Sequence, residues 1–300
     1  MTRQAFLPKK FHAATLAVIE HANEIIAEYE RGGFSLTLRQ LYYQFVARRL
    51  MENTVAEYKR LGKIVNDGRL AGMIDWDGIE DRTRRLESYQ SYLGPWEAVE
   101  MAAQSYCEDP WLSQNYRPEV WIEKDALIGV IESVCSDYHL PHFACRGNVS
   151  QSELYAAGRR FASYLADGLT PVVLHLGDHD PNGLDMTRDN RDRLRLFAGY
   201  DIEVRRLALN LDQVGRYALP PNPAKETDTR FSAYVENFGT RECWELDALA
   251  PNVIADLIRA EILALIDKRK WRKAEAKSRD NRATLASASQ NWAKVEKLFR

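Results

Sequence analysis

Three hundred residues allow two domains of ordinary size, and 45% apolar residues are enough for real cores rather than a disordered chain. A formal net charge of −2 carries no whole-chain signature for nucleic acid, so any basic binding surface has to be local. The four cysteines, Cys107, Cys135, Cys145 and Cys243, lie far apart without a Cys-x-x-Cys pair, which argues against a zinc site or a disulfide framework and for buried free thiols. No secretory leader opens the chain, and no apolar run approaches the roughly 20 residues that a membrane span needs, so a soluble cytoplasmic protein without membrane partners is expected.

Apolar spacing predicts a first helix over 11–30, stopped by Gly32-Gly33. A second begins at the N-cap Thr37 and runs to about Met51, and a third runs from Asn53 or Thr54 to about Leu70. The short Trp-containing segment 73–82 is read as a β wing, which makes 1–85 a winged-helix pattern. A connector, 86–117, carries one amphipathic helix from Trp96 to about Glu108. Strands and helices then alternate. Strands are expected at 119–124, 141–146, 171–176 and 202–209, with helices at 126–138, 151–165 and 186–197. That alternation implies an α/β domain, 118–250, with a mainly parallel sheet covered by helices. A Pro-rich loop at 219–223, a helix at 251–268 and a basic helical extension complete the chain, the last region being 251–300.

The first of these strands ends in Glu123-Lys124 and the third in Gly177-Asp178-His179-Asp180-Pro181-Asn182-Gly183. Ligands of open α/β sheets gather at the carboxyl ends of the strands, where Glu123, Asp178 and Asp180 all fall. Pro181 and Gly183 supply a turn that lets both aspartates face one ion. Hard oxygen ligands suit Mg²⁺, which can stabilise the charge that develops in phosphodiester cleavage. The bland alternative for Asp-x-Asp-Pro is a polar loop making Asx turns.

In the second helix, Leu38, Leu41, Tyr42, Phe45 and Val46 form one buried stripe, while Tyr43 lies off it with Arg39 one turn before. Over 31–70 the chain holds eight Lys or Arg against three acids, a local charge of +5, and Arg60, Lys63 and Asn66 face outward from a third helix that buries Val55, Tyr58, Gly62 and Val65. These three suit phosphate contacts to DNA, or a merely solvated face. The segment 268–282 carries +6 and Trp271, and reads best as a solvated basic helix. Glu245, in Glu245-Leu246-Asp247, either stands near the metal or begins a helix, and is assigned no catalytic role.

Two strings together resemble the topoisomerase VI A subunit and the related meiotic double-strand-break protein. Glu123 with Gly177-Asp178-His179-Asp180-Pro181-Asn182-Gly183 is similar to that family's Toprim motifs, and Arg39-Gln40-Leu41-Tyr42-Tyr43 to its tyrosine motif; the recognisable parts span about 31–210. The resemblance implies Mg²⁺ on Glu123, Asp178 and Asp180, with Glu123 also assisting proton transfer. It implies Tyr43 as the nucleophile on double-stranded DNA beside Arg39, and a homodimer in which the tyrosine of one protomer meets the metal of the other. Gly147 sits where the family has a Gly-containing turn. The family's topoisomerase works with a separate ATPase subunit, and this chain has no Walker loop of its own. The expected function is Mg²⁺-dependent DNA cleavage by tyrosine transesterification. The alternatives are a hydrolytic Toprim endonuclease using metal-activated water, and a non-catalytic winged-helix regulator.

Overall fold

Apolar residues that recur every three or four positions build three helices at the N-terminus: α1 (Ala13–Arg31), α2 (Leu38–Ala47) and α3 (Val55–Leu70). They come from a computed structural model that describes residues 3–34, 36–80 and 89–299. Their inner faces, including Ile19, Ile25, Leu41, Phe45, Leu61 and Ile64, close over one core with Leu36, Ile74 and Ile79. Thr37 caps α2 as expected: its hydroxyl accepts the Gln40 N–H while Gln40 bonds back to the Thr37 N–H. The helix ends at Ala47 rather than near Met51. Arg49 takes a left-handed φ of 57° and the Leu50 N–H reaches back to Phe45, a closure the sequence does not advertise with a glycine.

Two expectations for this region change. In α3 the buried residues are Leu61, Ile64, Val65 and Gly68, and Val55 is exposed. Val65 is buried and Tyr58 packs on the core as expected, but the face is shifted toward Leu61 and Ile64, which offer more apolar surface than Val55 and Gly62 do. In place of a β wing, 73–80 forms turns and bends, with a single parallel bridge between Leu36 and Ile79. The end of the expected wing, the boundary at 85/86 and the start of the connector lie outside the described residues.

After α4 (Pro95–Ser105), the parallel sheet consists of β1 (Tyr116–Ile122), β2 (His142–Ala144), β3 (Thr170–Leu176) and β4 (Glu203–Ala208), in the order β2-β1-β3-β4. β1 begins inside the expected connector because Tyr116 already pairs with Thr170. Alternation decides which helix meets which face. Val120, Ile122, Leu174 and Leu176 point toward α5 (Ile128–Asp137) and α10 (Pro251–Leu265). Trp121 and Val173 point toward α6 (Gln151–Ala166) and α7 (Pro181–Ala198). The result is a three-layer α/β arrangement.

Between β4 and α10 lie α8 (Leu211–Tyr217), α9 (Phe231–Phe238) and a two-residue antiparallel ladder of β5 (Asn222–Pro223) with β6 (Glu242–Cys243). The expected last helix breaks at Leu265. Asp267 then accepts the N–H groups of Arg269 and Lys270 and caps a new helix, α11 (Lys268–Gln290). Trp271 anchors α11 against Trp111, their rings 5.2 Å apart, and a short α12 (Trp292–Lys297) follows. Among the described residues, no helix is long and apolar enough to cross a membrane.

Candidate active site

The rim formed by the carboxyl ends of β1 and β3 brings Glu123 and Asp178 together. The Glu123 N–H extends the ladder by donating to Leu176 O at 2.8 Å, and its Oε2 accepts the Asp178 N–H at 2.9 Å. Gly177 makes room for this: a Cβ there would stand 2.9 Å from Glu123 Oε2. Asp180 is the N-cap of α7, its Oδ1 accepting the Gly183 N–H at 2.6 Å, with Pro181 in the first helical position. Pro181 and Gly183 are therefore the first turn of a helix that starts five residues before the expected Met186, and not a free turn. Gly183 is required by close approach, since a Cβ would lie 2.3 Å from the Asp178 carbonyl oxygen. Burial, with the Asp180 charge adding to it, pushes the Glu123 carboxyl above the usual range against the pull of the Asp178 N–H and Lys124.

His179, the residue between the two aspartates, fastens a distant segment to this turn. Its backbone N–H and C=O both pair with Trp244, at 2.8 and 3.0 Å. Its buried ring sits among Tyr234, Phe238 and Trp244, with Nδ1 3.0 Å from the Tyr234 hydroxyl. The segment after Trp244 is thereby laid along Asp178, whose Oδ1 accepts the Leu246 N–H at 2.7 Å. Glu245 and Asp247, the residues before and after Leu246, both reach the Lys124 ammonium.

Three acids then share one cation. The Lys124 ammonium lies 3.0 Å from Asp178 and 3.0 Å from Asp247, and it hydrogen-bonds Glu245. Burial opposes the charge on Lys124, but Asp178, Asp247 and Glu245 outweigh it and hold the ammonium well above the ordinary lysine range. With one lysine among three acids, burial still pushes the Asp178 carboxyl up against the pull of Lys124 and the Leu246 N–H. Behind the rim, the half-buried Arg206 guanidinium donates to the carbonyl oxygens of Gly177, Asp178, Gly183 and Leu209, and so fixes the backbone that carries both aspartates.

The second helix reaches this cluster from the N-terminal bundle. The Tyr43 hydroxyl donates to Glu245 Oε2 at 2.8 Å, Arg39 Nη2 lies 3.4 Å from the same hydroxyl, and the Lys124 ammonium stands 5.8 Å from the ring centroid. Burial and Glu245 raise the phenol to about 12 against Lys124 and Arg39, so it is protonated at neutral pH. The resemblance implies a tyrosine that meets its partner's acids; within this single chain Tyr43 already meets an acid of its own rim. Tyr42 is buried, as expected, and its hydroxyl is held by Glu52 and Thr54. Tyr43 also lines a cleft of about 270 Å³, together with Arg39, Tyr42, Asn53, Thr54, Val55 and Tyr58.

Arg60, Lys63 and Asn66 are exposed on α3, and none of them touches the acidic rim. Arg60 is clasped by Glu57 of its own helix through contacts of 2.6–3.0 Å. Gly147 takes a φ of 93° in the turn after β2, next to Arg146, whose N–H donates to Glu123 O. Sequence reasoning passed over Lys124 and Arg206 as members of the site, and left Glu245-Leu246-Asp247 between acids near the metal and a helix start, with no catalytic role. The available signals were the adjacency of Lys124 to Glu123 and a second pair of acids one residue apart at 245 and 247.

The donor set fits a hard divalent cation in kind: carboxylate oxygens of Glu123, Asp178 and Asp180 on one rim, each accepting one backbone N–H, with Asp178 also paired to Lys124. Among the described residues, no three His, Cys, Asp or Glu side chains are already drawn together around a metal-sized gap. The positive charge among the acids is that of Lys124. Asp247 Oδ2 is met by the Lys124 ammonium at 3.0 Å, while its buried Oδ1 has no hydrogen-bond partner among the described residues. Comparison of the chain with protein-family models and with curated proteins finds no match.

Proposed function

We propose that this chain is a Mg²⁺-dependent DNA-cleaving enzyme of the topoisomerase VI A type, a winged-helix-like bundle joined to a Toprim-like domain, in which Tyr43 attacks a DNA phosphodiester. One observation carries the reading. The Tyr43 hydroxyl, from a helix of the N-terminal bundle, hydrogen-bonds Glu245 in a cluster that also holds Lys124 and Asp178, at the carboxyl rim of a parallel sheet. A merely structural tyrosine has little reason to extend across two cores into a cluster of buried charges.

Mg²⁺ would be held by Glu123, Asp178 and Asp180, and would supply charge stabilisation for the phosphate in the transition state. The chain's own residues do the rest. Arg39 stands beside the phenol and presents a guanidinium to an incoming phosphate. Lys124 keeps the acids together and offers positive charge next to the nucleophile. Arg206 holds the 177–183 backbone, so the two aspartates keep their positions through a reaction cycle. Arg60, Lys63 and Asn66, exposed on α3, would meet the DNA backbone. A second copy of the chain would make the second cut of a duplex, and a separate ATPase would be needed to couple cleavage to strand passage.

The test is incubation with supercoiled plasmid and Mg²⁺, then denaturation with and without protease. Protein-linked breaks released by protease, present with the wild type and lost in Tyr43→Phe, are expected. Breaks that survive Tyr43→Phe but vanish in Glu123→Ala would turn the reading to a hydrolytic endonuclease. Plasmid binding without any break would leave a DNA-binding regulator.

A further inference from the structure

We infer that Glu245 is the proton acceptor for Tyr43, a catalytic residue of the transesterification just proposed and dependent on that reading. The contact is direct, with the phenolic Oη–H donating to Glu245 Oε2 at 2.8 Å, and Glu245 is the only carboxylate among the described residues that the phenol hydrogen-bonds. The other two groups at the phenol, Arg39 and Lys124, are cations and cannot take a proton. Glu123 does not touch the phenol, and its Oε2 is engaged by the Asp178 N–H.

The charge state of Glu245 suits this role. Burial works against its ionisation, but Lys124, the hydrogen bond from Tyr43 and Arg39 outweigh burial and hold the carboxyl below its ordinary range. It therefore waits as a carboxylate beside a protonated phenol. A carboxylate cannot strip a free phenol of its proton at neutral pH. It receives the proton as the bond from Tyr43 Oη to phosphorus forms, which turns the phenol oxygen into a far stronger acid.

The step balances. The Oη–P bond forms, the P–O bond to the leaving deoxyribose oxygen breaks, the phenol proton passes to Glu245, and the leaving oxygen takes a proton from water. Resealing runs the same path backward, with the Glu245 carboxylic acid returning its proton to the departing Tyr43. Lys124, bonded to the same carboxylate, fixes its position through both directions.

The test uses the full chain and measures the rate of Tyr43-linked DNA formation on supercoiled plasmid with Mg²⁺. Glu245→Gln keeps the shape and a hydrogen-bonding oxygen, and leaves Lys124 paired with Asp178 and Asp247. It is expected to bind plasmid normally and to form the adduct ~10²–10⁴-fold more slowly. Placing 3,5-difluorotyrosine at position 43 makes the phenol more acidic and lightens the work of the acceptor. It should recover at least about tenfold of the Glu245→Gln rate while changing the wild type little, a pattern that a packing role for Glu245 would not produce. If Glu245→Gln does not fold, Glu245→Asp carries the same test, with a partial loss and the same rescue. Adduct formation by Glu245→Gln at the wild-type rate, or a defect indifferent to the fluorinated phenol, overturns the acceptor role alone. A wild-type chain that never becomes linked through Tyr43 overturns the transesterification reading and the acceptor with it.

Discussion

Replacing Lys124 by methionine removes the ammonium that pairs with Asp178, Glu245 and Asp247 at the same rim. The ammonium is 3.0 Å from both aspartates, and the side chains of Lys124 and Asp247 are 13% and 0% exposed. At an effective dielectric of ~20, each such contact is worth about 5 kcal/mol before desolvation is counted. Taking the ions out of water costs several kcal/mol each, so the net value of the cluster is far smaller than the sum of its contacts. Deleting the lysine is another matter, because the acids stay buried without it. The expected loss is about 3–5 kcal/mol, a large fraction of the 5–15 kcal/mol that a typical domain has, and a fall in Tm of about 10 °C. Thermal and urea melts near neutral pH check it. Mg²⁺ should raise the Tm of Lys124→Met more than that of the wild type, since a divalent cation can then neutralise the acids the lysine held. A variant within about 1 kcal/mol of the wild type would show that the acids do not depend on the ammonium and would refute the reasoning.

Gly183→Ala is expected to cost about 2–3 kcal/mol or more and to abolish cleavage, because the added Cβ would stand 2.3 Å from the Asp178 carbonyl and must push the Asp178–Asp180 turn off α7; urea melts and the plasmid assay read both effects. His175 is fully buried, and burial, then Arg206, lowers its ring to about 3. Its neutral form is favoured only in the fold, so the stability it contributes is complete above the unfolded value of ~6.5 and is lost as pH falls below it, by about 2 kcal/mol at pH 5. His175→Asn should lack that part of the acid sensitivity, while the carboxylates, common to both proteins, cancel in the comparison of urea melts. If Tyr43 works with the rim of its own chain, mixing Tyr43→Phe with Glu123→Ala will not restore protein-linked breaks; recovery of single-strand breaks would assign the tyrosine to the partner's rim.

Much of the scaffold was legible because it follows from local rules. The period of Leu41, Tyr42 and Phe45 set the buried face of α2, and Thr37 with Gln40 set its start. The apolar runs before Glu123 and Asp178 fixed two parallel strands, and their ends put two acids at one rim. The misreadings have specific causes. Arg49 closes α2 in a conformation usually marked by glycine. Asp180-Pro181 reads equally as a turn or as an N-cap followed by the first helical residue, and only the packing of Gly183 on the Asp178 carbonyl decides. The face of α3 was taken from Val55, Tyr58, Gly62 and Val65; Val65 is buried and Tyr58 packs on the core, but Val55 is exposed and the larger apolar surface of Leu61 and Ile64 turns inward.

Sequence alone determined the alternation of strands and helices, the position of Glu123 and Asp178 just past strand ends, and the separation of Tyr43 from the stripe that Tyr42 joins. These depend on neighbours a few residues away along a regular backbone. Tertiary structure decided that Tyr43 meets Glu245, 202 residues on, and that Lys124 stands among three acids. Both contacts exist because the backbone of His179 pairs with that of Trp244 and brings the 244–247 segment to the sheet rim. Any residue but proline can make such backbone bonds, so no side-chain pattern announces them.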